Sequence, residues 1–132
     1  MSEIQKRIVY IEDDPDMIDL VSLILKSKGF TVQGANGGRE GLDLITNDPP
    51  DLILLDLMMP DIDGWEVYHQ IKANEVSSQI PVIIITAKAQ AIDQVLGLKI
   101  AQVDDYISKP FHFQQLVDSI QNTLARNKIS GS

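Results

Sequence analysis

The sequence predicts an α/β fold built on a doubly wound five-stranded parallel sheet of order 2-1-3-4-5, and three observations carry that prediction. Short runs rich in Val, Ile and Leu alternate with longer amphipathic runs along the whole chain, the pattern of strands joined by crossover helices. The central run, residues 51–56 (DLILLD), is continuously apolar between two carboxylates, as a strand buried on both faces has to be. Right-handed crossovers then place helices on both faces, with the first strand flanked by the second and third.

Each element follows from local signals. Residues 7–11 (RIVYI) form the first strand and run into the acidic cluster Glu12, Asp13, Asp14, Pro15, Asp16. Pro15 suits the first turn of a helix, with Asp14 as N-cap and Asp16 and Asp19 favourable at the positive end of its dipole. Met17, Leu20, Val21 and Ile24 recur at helical spacing, and Gly29 is the C-terminal stop. Residues 31–35 are the second strand. Asn36-Gly37-Gly38 is a turn, and Leu42 and Ile45 mark the inner face of a second helix ending before Asn47, Pro49 and Pro50.

After the central strand, Asp63 caps a third helix running to about residue 74, with Val67 and Ile71 inward. Residues 79–85 give the fourth strand, where Pro81 is tolerable only near the start, and the strand ends at Thr86-Ala87. Residues 89–99 form a fourth helix with Ile92, Val95 and Leu96 inside. Residues 105–108 are a short fifth strand ending at Lys109-Pro110-Phe111, and Leu116, Val117, Ile120 and Leu124 face inward from a last helix that frays into the polar segment 126–132. The whole is a flavodoxin-like (βα)5 three-layer sandwich. Its 132 residues, 44% apolar, suit one domain over 1–132, with a core of about 5–127 and a polar C-terminal tail, 128–132.

Composition removes several function classes. A net charge of -8 without Lys or Arg clusters argues against binding nucleic acid directly or coating an anionic membrane. No cysteine is present, so disulfides, thiolate catalysis and Cys-based zinc sites are excluded. The first seven residues contain no apolar leader region, and no run reaches the roughly 18 apolar residues of a membrane span. The expectation is a cytoplasmic chain.

The predicted topology brings distant side chains to one sheet edge. Ligands of open α/β sheets bind at the carboxyl ends of the strands near the switch point. Glu12 and Asp13 follow strand one, Asp56 ends strand three, Thr86 ends strand four and Lys109 follows strand five. Carboxylates about 5 Å apart repel by roughly 3 kcal/mol per pair at an effective dielectric of about 20. Such a site needs a cation or a proton. Mg²⁺ suits it, being a hard ion that takes oxygen ligands, keeps waters and bridges carboxylates to phosphate oxygens. A strand-end Asp can attack phosphorus and form an aspartyl phosphate. A metal, a hydroxyl and an ammonium would then neutralise the transferring phosphoryl oxygens. No side chain stands out as a general base for water, which suits a phosphorylated state that persists.

These residues carry a family resemblance. The stretch Asp56-Leu57-Met58-Met59-Pro60-Asp61-Ile62-Asp63-Gly64, the pair Glu12-Asp13, Thr86-Ala87, and Tyr106 three residues before Lys109-Pro110-Phe111 together resemble the CheY-like receiver domain of two-component response regulators, over about residues 5–127. The resemblance implies that Asp56 accepts a phosphoryl group from a sensor histidine kinase or phosphotransfer protein. It also implies that Asp13, Asp56 and the backbone carbonyl of Met58 ligate Mg²⁺, with Glu12 holding the ion through water. Lys109 would pair with the phosphate, Thr86 would move to hydrogen-bond it, and Tyr106 would swing inward. A cis Lys109-Pro110 bond is implied too. A downstream protein or output domain would read the face made by the fourth helix, fifth strand and fifth helix. The implied chain is a switch with at most slow self-dephosphorylation rather than an enzyme.

Rival readings are weaker on the same residues. Asp56 as a turn cap, Glu12 and Asp13 as helix caps, Tyr106 as a half-buried strand residue and Lys109 as a surface lysine each explain one position and leave the convergence unexplained. His69 and His112 lie away from strand ends and read as surface residues. A flavodoxin-like cofactor binder would carry a Ser/Thr/Gly-rich phosphate loop after strand one, where the acidic cluster stands. A haloacid-dehalogenase-type phosphatase would have a second Asp at position 58, occupied by Met58. A phosphorylation-independent interaction module of the same fold is the alternative that keeps the architecture. One departure from the family pattern stands before strand five, where Gln102-Val103 replaces the usual Gly-Ala and the segment is one residue longer.

Overall fold

A computed structural model describes residues 5–87 and 103–130, with side chains as far as 126. The predicted helix over 89–99 and most of the segment before strand five lie outside the described residues. Five parallel strands, β1 (Lys6–Ile11), β2 (Phe30–Ala35), β3 (Leu52–Asp56), β4 (Val82–Thr86) and β5 (Asp105–Ser108), form one sheet in the order β2-β1-β3-β4-β5. The described helices are α1 (Pro15–Ser27), α2 (Gly38–Asn47), α3 (Gly64–Ala73) and the C-terminal helix α4 (Phe113–Ser130).

Strand alternation sorts the core into two layers. Val9, Ile11, Ile53, Leu55, Val82 and Ile84 face α2 and α3, joined there by Ile45, Val67 and Ile71. Ile8, Tyr10, Leu52, Leu54, Ile83, Ile85 and Ile107 face α1 and α4 and meet Val21, Leu25, Leu116, Val117 and Ile120. Every residue of β3 is buried, which is why its sequence shows no polar alternation. Each large aliphatic side chain so buried contributes about 1.5–3 kcal/mol.

Local chemistry sets the helix ends. Asp14 caps α1, its carboxylate accepting from the amides of Asp16 and Met17 at 3.0 and 3.4 Å, and Asp63 caps α3 through the Trp65 amide at 3.4 Å. Gly29 follows α1 with φ of 91°, a left-handed conformation that glycine adopts without strain. Gly64 opens α3 against the chain that leaves β3: a Cβ there would overlap the backbone of Leu57. Only glycine lets that loop pass so close to the helix.

Several expectations are corrected. The fourth strand begins at Val82 rather than at 79, because residues 74–80 close a turn: the amides of Ser77 and Ser78 donate to Asn74 O, and that of Ile80 to Ser77 O. The last helix does not fray from 126 but continues to Ser130. Good helix formers such as Ala125 and Arg126 favour this, and Arg126 anchors the turn on Asp104 O at 3.1 Å. On α1, Leu20 is 42% exposed while Leu25 is fully buried, so the inward stripe is rotated from the one its spacing suggests. The first strand also starts one residue earlier and the second helix includes Asn47.

Candidate functional site

The parallel register brings the predicted residues to one edge. Ile11 aligns with Ala35 and Leu55, Asp56 with Ile85, and Thr86 with Ser108. The ladder continues one step past β1, where the Glu12 amide donates to Ala35 O at 3.0 Å, so the Glu12 side chain turns inward and is 1% exposed. Asp56 is 3% exposed at the end of β3. The amide of Lys109 donates to Thr86 O at 2.8 Å, and the Lys109-Pro110 bond that follows is cis, as expected.

Lys109 closes the site across the sheet. Its Nζ lies 2.6 Å from Glu12 Oε1 and 2.9 Å from Asp56 Oδ2. The remaining oxygen of Asp56, Oδ1, accepts from the Met58 amide at 2.8 Å, so the loop after β3 both fixes the carboxylate and carries the Met58 backbone past it. Glu12 Oε2 accepts from the Asp14 amide at 3.2 Å, and Oε1 accepts also from the Tyr10 hydroxyl at 3.0 Å. One carboxylate oxygen from each of Glu12, Asp13 and Asp56 lies within 4.8 Å of the other two.

That arrangement concentrates negative charge. Asp13 is exposed at the rim, yet desolvation and the adjacent Glu12 carboxylate hold its carboxyl above the usual range. Burial opposes the charge on Lys109, but hydrogen bonds and attraction from Glu12 and Asp56 outweigh it and raise its pKa. Three hard oxygen donors, one open to solvent, match the ligand type and partial hydration that Mg²⁺ prefers. The site therefore fits a divalent cation.

Of the residues singled out from sequence, Glu12, Asp13, Asp56 and Lys109 come together, and Thr86 is buried beside them, 1% exposed at the end of β4. Met58 has its side chain 46% exposed, and Tyr106 is turned outward on β5 at 37%. His69 and His112 are exposed, and neither is among the carboxylates and the ammonium that meet at the site. Two participants escaped sequence reasoning. Tyr10 sits two positions before Glu12, hence on the same strand face, and that alternation was the available signal. Asp61 accepts from the amides of Gly38 and Arg39 at 3.1 and 3.3 Å, tying the loop after β3 to the start of α2.

Comparisons with known proteins agree with this geometry. Residues 8–121 match the family described as "Response regulator receiver domain". The DNA-binding response regulator MtrA of Mycolicibacterium smegmatis is 34% identical over 128 residues, 97% of this chain and 54% of the relative. The chain thus spans about half the length of that curated relative. A CheY-like receiver domain protein from Methanospirillum hungatei superposes with a TM-score of 0.84 at 31% identity, covering 96% of this chain and 99% of that one. The response regulator TrrA of Thermotoga maritima, solved in complex with Mg²⁺-BeF, gives 0.80 at 28% identity over 90% and 99% of the two chains. With the strand order, the strand-end carboxylates and the family match in agreement, the chain belongs to the response regulator receiver domain family, the signalling switches of two-component systems.

Proposed function

We propose that Asp56 accepts a phosphoryl group from a sensor histidine kinase or phosphotransfer protein, and that 1–132 acts as a single cytoplasmic receiver domain. The observation that carries this reading is the convergence of three carboxylates within 4.8 Å around an ammonium that bridges two of them. A carboxylate oxygen of Asp56 attacks phosphorus, the P–N bond to the donor imidazole breaks, and its electron pair returns to the ring. Asp13, Asp56 and the Met58 carbonyl are the proposed Mg²⁺ ligands, with Glu12 acting through water. The Mg²⁺ found with the Thermotoga maritima relative supports that choice. Bound Mg²⁺ would supply positive charge to the oxygens of the transferring group.

Lys109 turns its ammonium to the phosphoryl oxygens, and the Thr86 hydroxyl donates to another. Tyr106, outward here, moves in behind Thr86 and changes the face of β5 and the C-terminal helix that, with the helix predicted over 89–99, meets a downstream protein or output domain. A tenfold gain in partner affinity needs only about 1.4 kcal/mol of differential stabilisation. Self-dephosphorylation is at most slow, and the chain itself makes no direct nucleic-acid or membrane contact. Among the described residues no helix is long and apolar enough to cross a membrane. The test is incubation with acetyl phosphate and Mg²⁺ followed by intact mass. The expected result is one phosphoryl adduct that Asp56→Ala lacks; an unmodified wild type would favour the phosphorylation-independent interaction module.

A further inference from the structure

We infer that Tyr10 is a positioning residue of this site, whose hydroxyl holds Glu12 in place while Lys109 exchanges partners. The inference rests on the proposed phosphoacceptor reading and concerns how that site is kept assembled. The Tyr10 ring is fully buried between β1 and the layer of α1 and α4. Strand alternation puts Glu12 on the same face, and the ring reaches it: the hydroxyl donates to Oε1 at 3.0 Å. That same oxygen takes Lys109 Nζ at 2.6 Å.

A buried tyrosine needs some acceptor, so the plain reading is that Glu12 merely satisfies Tyr10. The burial of Glu12 reverses that reading. Its side chain is 2% exposed, so an Oε1 left without a donor carries the desolvation cost of a charged acceptor. Lys109 cannot be its permanent donor, since the ammonium is shared with Asp56 at 2.9 Å and turns to the phosphoryl group in the proposed reaction. Tyr10 is the donor that stays when Lys109 leaves. It thereby holds the Glu12 carboxylate toward the cation pocket, as outer partners of metal ligands do.

The test measures Mg²⁺ affinity, by calorimetry and by the fluorescence of Trp65, in wild type, Tyr10→Phe, Glu12→Ala and the double variant. Phe keeps the ring that fills the core. Tyr10→Phe should weaken Mg²⁺ binding on the order of 10-fold with unchanged circular dichroism. In the Glu12→Ala background the same change should shift affinity by less than about twofold. Unchanged affinity in Tyr10→Phe overturns the inference, and so does an equal loss in both backgrounds, which would mark a packing effect. Because these readings are of binding, they stand apart from phosphoryl transfer. A wild type that shows the coupling but takes no phosphoryl group keeps Tyr10 as a positioner of Glu12 and ends only the proposed reaction.

Discussion

The two ends of the sheet hold a cation among oxygen acceptors in opposite settings. At the amino edge Arg7 donates to Asp48 O at 2.6 Å and to Gln33 at 2.8 Å, and its guanidinium lies 3.6 Å from an Asp48 carboxylate that is 79% exposed. At the carboxyl edge Lys109 lies within 2.9 Å of two carboxylates whose side chains are 2% and 4% exposed. Water screens the first group, and such pairs contribute about 0–1 kcal/mol. The second has lost much of its hydration, and attraction between the charges does little more than offset that loss. The amino edge ties strands and loops together. The carboxyl edge holds a strained balance of charge that a cation and a phosphoryl group can relieve.

The contrast can be broken most sharply at Lys109. Lys109→Ala leaves Glu12 and Asp56 facing each other without a counter-charge and should cost about 3 kcal/mol in urea unfolding without metal. Added Mg²⁺ should recover much of that loss. A cost no larger than that of an exposed pair would erase the distinction between the edges.

Asp61, exposed at the rim of the carboxyl edge, should give an intermediate effect. Helix α2 has at its N-cap Gly37, a residue with no side chain to cap it, and Asp61 serves instead, from the loop after β3. Desolvation pushes its carboxyl up, but hydrogen bonds from the amides of Gly38, Arg39 and Ile62 outweigh that and leave its pKa lowered. Asp61→Ala should cost about 1 kcal/mol near neutral pH. A carboxyl lowered in the folded state stabilises fully above its unfolded value of about 3.9 and loses that contribution as pH falls through the folded value. The gap between wild type and variant, followed by urea unfolding across pH, should therefore close below about pH 4. A gap that persists there would assign the effect to packing.

Arg7→Ala should give the smallest change, below about 1 kcal/mol, and smaller again at high salt. Thermal unfolding at two ionic strengths checks it, and a large, salt-independent loss would show the amino edge to be as tightly coupled as the other.

What could be read from sequence follows the same division. The strand β3 and its terminal Asp56 were legible because burial on both faces leaves an unbroken apolar run, and the topology then dictated which strand ends meet. Glu12, Asp13 and Lys109 became legible only through that topology. The start of β4 was not, since Gln79 and Ile80 suit a strand by composition, while the turn that claims their neighbours depends on backbone hydrogen bonds to Asn74. From sequence Tyr10 is legible only as one residue of the first strand; that its hydroxyl reaches Glu12 depends on ring orientation. Asp61 caps a helix that starts 23 positions earlier, a tertiary contact with no local sequence signal. The outward turn of Leu20 reflects how α1 docks, which its spacing alone leaves open.

The convergence of charge at the carboxyl edge is tested most directly by the Mg²⁺ dependence of unfolding in wild type and Asp13→Asn. Wild type should gain about 2.7 kcal/mol when free Mg²⁺ is about 100 times its dissociation constant, and Asp13→Asn should lose most of that gain at the same concentration. Equal stabilisation of the two proteins, or none of wild type, would contradict the account.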